Sequence, residues 1–216
     1  MWRGRANERR GCVTTETVLS ENEARALLAC YVPLDETWGA HSATVARLAG
    51  TIADALSAAG VTVDVEQTRA GGLLHDIGRS VTHDGIMHCW EGYQMLLARG
   101  QPVLARFCIA HSSGGMDAEE AVSVDLPAAD YRPRSWEEKA VTIADGLAHY
   151  DGVVCLADRC ASVRERYRER SSPARYALIL RTEAKVHALM AEVKTIIGQS
   201  VEELCGARRL SGRTED

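Results

Sequence analysis

The sequence predicts an all-α fold, and three observations carry that reading. Its apolar residues recur at steps of three and four almost throughout, the period that puts side chains on one helix face. Alanine and leucine are abundant while there is a single Phe, which favours helices packed through small and aliphatic side chains over a β-sandwich. No strand-period alternation runs for more than a few residues, and there is no internal repeat or low-complexity tract.

The elements follow in chain order. Residues 1–19 are polar or irregular and are expected to form a loose N-terminal segment. A short helix over about Glu21–Tyr31 stops before Pro33. His41, Val45, Leu48, Ile52, Leu56 and Ala59 share one face of a long helix that Asp35 or Thr37 can cap and Gly60 ends. Asp64 caps the next helix, which carries Gly71, Gly72 and His75 on adjacent turns. Each interior glycine costs roughly 1 kcal/mol relative to Ala, so close helix approach around His75 is the expected compensation, with Gly78 as the stop.

A helix over about Ile86–Arg99 presents His88, Gly92, Met95 and Leu96 on one face, and Gly100 closes it. Pro102 opens another, with Leu104, Phe107, Cys108 and His111 at i, i+3, i+4 and i+7. Residues 112–134 carry Gly, Pro and Asp punctuation and read as a long loop with one short helical turn, the expected source of pocket specificity. Ser135-Trp136-Glu137-Glu138 is a capping box opening a helix whose buried stripe, Val141, Ala144, Leu147 and Ala148, is interrupted by Asp145. In residues 159–170, Glu165 and Glu169 interleave with arginines, so the stretch reads as a self-neutralising, solvated face. Ser172-Pro173 starts the last long helix, whose apolar residues from Ile179 to Ile197 serve equally well for packing on the same domain or for pairing in a homodimer. The organisation expected is a single domain over 20–206, comprising a core at 37–150 and C-terminal helices at 151–206, followed by a loose tail at 207–216.

At 216 residues the chain fits one domain with a sizeable core. A net charge of -5 argues against general nucleic-acid binding, yet it leaves room for a local positive site that takes a nucleotide. The seven cysteines form no CxxC pair, and Cys155-x4-Cys160 reads as two ordinary thiols. Without a secretory h-region or an apolar run of spanning length, the expectation is a cytoplasmic protein with reduced thiols and no membrane partner. No Walker-type loop is present, which disfavours a kinase.

The chemistry is carried by His75-Asp76, inside Leu73-Leu74-His75-Asp76-Ile77-Gly78-Arg79. Burying an imidazole beside a carboxylate is costly unless the pair is coordinated or compensated. His41, His88 and His111 taken singly are more often hydrogen-bonded core histidines. Asp145 is harder to dismiss, because a carboxylate in the middle of an apolar helix has no cap to serve. Four groups on three helices, His41, His75, Asp76 and Asp145, can converge between helices, where bundles place metals. Imidazole and carboxylate together suit Fe, Mn, Co, Ni or Zn.

The order His41, His75-Asp76, His88, His111, Asp145 resembles the HD-domain metal-dependent phosphohydrolases. The resemblance covers about residues 37–150 and implies an HD-type helical bundle. By that resemblance, His41, His75, Asp76 and Asp145 bind one metal. His88 and His111 hold a second, with Asp76 bridging, and His88-Cys89-Trp90-Glu91-Gly92 is similar to the His-x-x-x-Gly of two-metal members. His83 competes for the His88 role but sits too early. Glu138-Lys139-Ala140-Val141 ahead of Asp145 is similar to a run in small archaeal and bacterial HDIG-type proteins and in symmetrical diadenosine tetraphosphate hydrolases. The Gly-Tyr-Pro phosphodiesterases fit poorly, since Ser112-Ser113-Gly114-Gly115 follows His111. The implied reaction is hydrolysis of a phosphate ester or anhydride, in a nucleotide or another small phosphorylated metabolite, by a metal-activated water. Asp76 would orient that water, Arg79 would clamp phosphate, and Lys139 either reaches substrate or pairs with a glutamate. Two alternatives stand beside it: a di-iron HD-fold oxygenase with the same ligands, and a non-catalytic HD-fold binding or regulatory domain, which would not need six ligands.

Overall fold

The computed structural model describes residues 18–35, 37–150 and 152–210. The chain runs through α1 (Glu21–Ala29), α2 (Thr37–Ala58), α3 (Val65–Leu74), a first 3-10 turn (Ile77–Ser80), α4 (Met87–Leu97) and α5 (Pro102–Ala110). A second 3-10 turn (Ser112–Gly114), α6 (Ala118–Val122) and α7 (Trp136–Leu147) follow. A hairpin of β1 (Ala148–His149) and β2 (Gly152–Val153) leads into α8 (Leu156–Tyr167), α9 (Pro173–Ile197) and α10 (Val201–Cys205). The fold is all-α, and the antiparallel hairpin, with His149 opposite Gly152, is too short to leave an alternation pattern in the sequence.

The main core forms where α2 packs on α3 and α7, burying Leu48, Ile52, Leu56, Leu73, Leu74 and Val141. The two glycines of α3 set that spacing. A Cβ on Gly72 would lie 2.6 Å from Ala46 Cα, and one on Gly71 would lie 2.5 Å from the ring of Phe107. Helix α3 is thus pressed between α2 and α5, and His75 at its C-terminus is carried into the interior.

Gly78 has a different role from the expected stop. Helix α3 already ends at Leu74, and a Cβ on Gly78 would lie 2.0 Å from His88 O and 2.4 Å from Gly92 N. The glycine lets the first 3-10 turn touch the backbone of α4. Asp64 caps α3 as expected, accepting from Gln67 N at 2.9 Å. Thr37 is itself the first residue of α2 and not its cap. At α7 only half of the capping box forms: Ser135 accepts from Glu138 N, while the Glu138 carboxylate turns to Arg106 and Arg134 N.

Residues 112–134 form the expected long loop around one short helix, α6, and pack inward. Met116, Ala121, Val124, Leu126 and Tyr131 join Ile86, Ile109 and Leu178 in a second apolar cluster. The last long helix, α9, buries Leu178, Val186, Leu189, Met190 and Val193 within its own chain. Of the loose ends expected, 1–17 and 211–216 lie outside the described residues. Val18 and Leu19 pack on the main core. Residues 207–210 are tied down: Cys155 N donates to Arg208 O, and Leu210 N donates to Asp158 Oδ2. The six described cysteines are free thiols. Among the described residues no helix is long and apolar enough to cross a membrane.

Candidate metal centre

Six side chains from six elements meet in one cluster. His41 comes from α2, His75 from the C-cap of α3, Asp76 from the residue opening the first 3-10 turn, His88 from α4, His111 from the C-cap of α5, and Asp145 from α7. Asp76 is at the centre and only 1% exposed. Its two oxygens face different partners. Oδ1 stands 2.8 Å from His88 Nε2 and 3.7 Å from His111 Nε2. Oδ2 stands 3.8 Å from His75 Nε2, 3.9 Å from His41 Nε2 and 2.5 Å from Arg79 Nε. Asp145 Oδ1 lies 3.0 Å from His41 Nε2 and 3.9 Å from His75 Nε2. The carboxylate of Asp76 therefore stands between two groups of ligands, His41/His75/Asp145 and His88/His111.

The buried rings are turned for coordination. Nδ1 of His75 lies 2.7 Å from Gly72 O, Nδ1 of His88 lies 2.7 Å from Asp84 O, and Nδ1 of His111 lies 2.9 Å from Phe107 O. A carbonyl only accepts, so each Nδ1 carries a proton, and in the neutral form that ligates a cation each ring aims its Nε2 lone pair into the cluster. His75 Nε2 and Asp76 Oδ1 are buried with no hydrogen-bond partner. The 2.8 Å approach of His88 to Asp76 Oδ1 lacks the alignment of a hydrogen bond. Orphaned buried acceptors of this kind are destabilising unless something positive sits among them. The residues thus fit a divalent cation on each side of Asp76.

Electrostatics agree with the geometry. Burial pushes His75 down to about 4, which keeps it neutral and ready to ligate. Burial alone would raise Asp76, but His75, Arg79 and His88 outweigh it and hold the carboxyl well below its usual range. Burial would likewise raise Asp145, and the His41 hydrogen bond and charge outweigh it. Beside them, burial would raise the Cys89 thiol, yet His88 and His111 draw it down to about 5. Burial would lower His111, and Cys89 draws it up to about 9. A cation bound here displaces the imidazole protons that this arrangement otherwise holds.

The two neighbouring candidates, Arg79 and Lys139, are placed differently. Arg79 reaches the site, but its Nε is committed to Asp76, so its first task is to hold that carboxylate. Lys139 is not brought to the site: its ammonium pairs with Glu192 on α9 and lies over the Trp136 ring, because its position on α7 faces away from Asp145. His83 is exposed on the rim of a neighbouring groove.

The sequence reading missed the arginines of α8. One pocket is lined by Asp76, His88, His111 and Asp145 together with Arg159, Arg166 and Arg170. Arg159 Nε is buried without a hydrogen-bond partner. Arg164 and Arg168 are the ones that pair, with Glu183 and Glu165. Helical phase was the available signal within α8: 159, 163, 166 and 167 fall on one face and 164 on another, while Arg168 and Arg170 lie in the turn just past the helix. Of the 112–134 segment only Ser112, Ser113 and Gly114 line this pocket, so its wall comes mainly from α8 and α9.

The HD domain profile matches residues 38–162. An uncharacterised protein of Methanocaldococcus jannaschii is 44% identical over 108 residues, which is 50% of this chain and 63% of that protein. A protein of Thermoplasma volcanium named tRNA (cytidine(56)-2'-O)-methyltransferase is 32% identical over 165 residues, 76% of this chain and 44% of its own. Ribonuclease Y of Wolinella succinogenes is 38% identical over 92 residues, 42% of this chain and 16% of that protein. In each case the matched stretch spans less than two thirds of the relative's own length. No solved structure matches the chain. The profile covers more than half of the sequence and spans every residue of the central cluster, and the chain belongs to the HD-domain family, a superfamily of metal-dependent phosphohydrolases.

Proposed function

We propose that this protein hydrolyses a phosphate ester or anhydride in a small phosphorylated metabolite, with nucleotides the favoured class. One observation carries the choice of substrate: a single pocket is lined both by the metal-ligand cluster and by Arg159, Arg166 and Arg170. Arg166 and Arg170 have no ion-pair partner among the described residues, and Arg159 Nε has no hydrogen-bond partner. Guanidinium groups with unfilled donors beside such a centre are suited to phosphate oxygens. Val163, Tyr167 and Ile179 give the same pocket an apolar side that can receive a base or another ring.

His41, His75, Asp76 and Asp145 would hold one ion, and Asp76, His88 and His111 the other. A metal pair so held supplies an activated water and neutralises charge on the phosphoryl oxygens. The chain's own residues supply position. Arg79 fixes the Asp76 carboxylate through Nε. The backbone carbonyls of Gly72, Asp84 and Phe107 fix the three ring orientations. The α8 arginines bind the substrate's phosphate and draw it toward Asp76. The buried Ser112 hydroxyl, which has no partner, offers one more contact in the pocket wall.

The test is a screen of the full chain, loaded anaerobically with manganese, iron or cobalt, against nucleoside mono- and polyphosphates, dinucleoside polyphosphates and cyclic nucleotides. With the substrate found, Arg159→Gln and Arg166→Gln should each raise KM about tenfold or more, since hydrogen bonds to charged groups contribute about 1.5–3 kcal/mol. Metal content should not change. Unaltered KM in both variants would remove the α8 wall from substrate binding and the reading with it.

A further inference from the structure

Cys89 follows His88 on α4 and is 1% exposed. Its sulfur lies 3.3 Å from His88 Nε2 and 3.6 Å from His111 Nε2. With both rings neutral these nitrogens are lone-pair ends, because each Nδ1 proton goes to a backbone carbonyl, and the alternative, a thiolate facing two imidazoliums, would bury three charges in the interior. A thiol has one proton and can donate to only one of them, so the second contact sets two acceptors against each other. Packing alone does not account for that. Cys89 belongs to an apolar cluster with Ile109 and Met116, where a sulfur has no need to face two imidazoles.

A shared ion does account for it. Zinc–nitrogen bonds of about 2.0 Å and zinc–sulfur bonds of about 2.3 Å in a tetrahedral site put the two donors about 3.5 Å apart. The two observed separations, 3.3 and 3.6 Å, lie on either side of that value. All three donor atoms lie within 4.8 Å of one another and all three residues are buried.

We propose that Cys89 is a thiolate ligand of the ion held by His88 and His111. The inference rests on the metal-dependent reading above and extends the ligand set beyond histidine and aspartate. It has two consequences. A thiolate makes this half of the centre softer than the His41/His75/Asp145 half, so it favours zinc or iron over manganese or magnesium. The two halves are then chemically unequal, and a mixed pair of metals is the natural loading. The coordinating thiol is also deprotonated outright and loses its ligand role on oxidation, which links occupancy of this ion to the redox state of one cysteine.

The test is a cobalt titration of the full chain after chelation under anaerobic conditions, read by absorption. Thiolate ligation gives a near-ultraviolet charge-transfer band, whereas imidazole and carboxylate ligation gives visible d–d bands alone. The native chain is expected to show both. Cys89→Ser should lose the near-ultraviolet band and keep the d–d bands from the other half. Cys108→Ala should keep both, since Cys108 donates its S–H to Leu74 O. The native spectrum needs no variant to fold, and Cys89→Ala replaces the serine variant if that one does not. Visible bands without the near-ultraviolet band in the native chain, or a near-ultraviolet band that survives in the Cys89 variants, would overturn the thiolate while leaving the metal centre standing. No cobalt bands of either kind would overturn both.

Discussion

Replacing Gly78 by alanine tests whether the two halves of the centre are held by one close backbone contact. The added Cβ would sit 2.0 Å from His88 O and 2.4 Å from Gly92 N, where an ordinary contact begins at 3.4 Å. The first 3-10 turn and α4 would have to part by about 1.4 Å at the closer contact. Neither neighbour is a flexible side-chain tip that could swing aside, so the strain falls on the backbone. Overpacking costs typically about 1–3 kcal/mol, and the upper end applies here. In a domain of this size that lowers Tm by roughly 10 °C. The displaced turn carries Asp76 and Arg79 and the displaced helix carries His88, so the ion on the His88 side should be lost first. Gly60→Ala is the control: its φ is +88° and its surroundings are open, so it should cost only about 1–2 kcal/mol of backbone strain and leave metal binding intact. The measurements are thermal unfolding and metal content on both variants. A Gly78→Ala protein with native Tm and native metal content would refute the claim that this contact positions the site.

Two further outcomes follow from individual contacts. Lys139→Met should leave turnover unchanged and cost about 1 kcal/mol or less, because the lysine forms a partly exposed pair with Glu192, and a large fall in kcat would return it to the site. Burial pushes the Asp84 carboxyl up, but the Met87 and Ile86 amides and Arg175 outweigh it and hold it below its ordinary value. Its stabilising contribution is therefore fully present above the unfolded pKa of about 4 and is lost as pH falls through the lower folded value. Urea unfolding of native and Asp84→Asn proteins should differ at pH 7 and converge in acid, and a gap that widens in acid would reverse the sign of this argument.

Most of the fold was legible because its helices advertise themselves by period and punctuation. Asp64, Gly100 and Pro102 stand where helix ends require them, and Gly71 and Gly72 mark the place where α3 is squeezed. The site was legible for a different reason: an imidazole beside a carboxylate after an apolar run has few structural uses. What escaped depended on direction in space. Gly78 looks like a helix stop in one dimension and is a contact with α4 in three. Lys139 precedes Asp145 by six residues, and that phase turns it toward Glu192. The arginines of 159–170 read as a neutralised run when counted, but at helical phase Arg159 and Arg166 separate from the paired Arg164. Cys89 carried no signal of its own, because only the folded chain brings His111 from α5 to its sulfur.

Metal content of the anaerobically purified chain, measured by mass spectrometry beside an Asp76→Ala sample, tests the central claim most directly. Asp76 stands between the two ligand groups, so close to two ions per chain are expected in the native protein, with both lost or nearly lost in the variant. A single ion in the native protein would restrict the centre to His41, His75, Asp76 and Asp145. No metal in either sample would contradict the account.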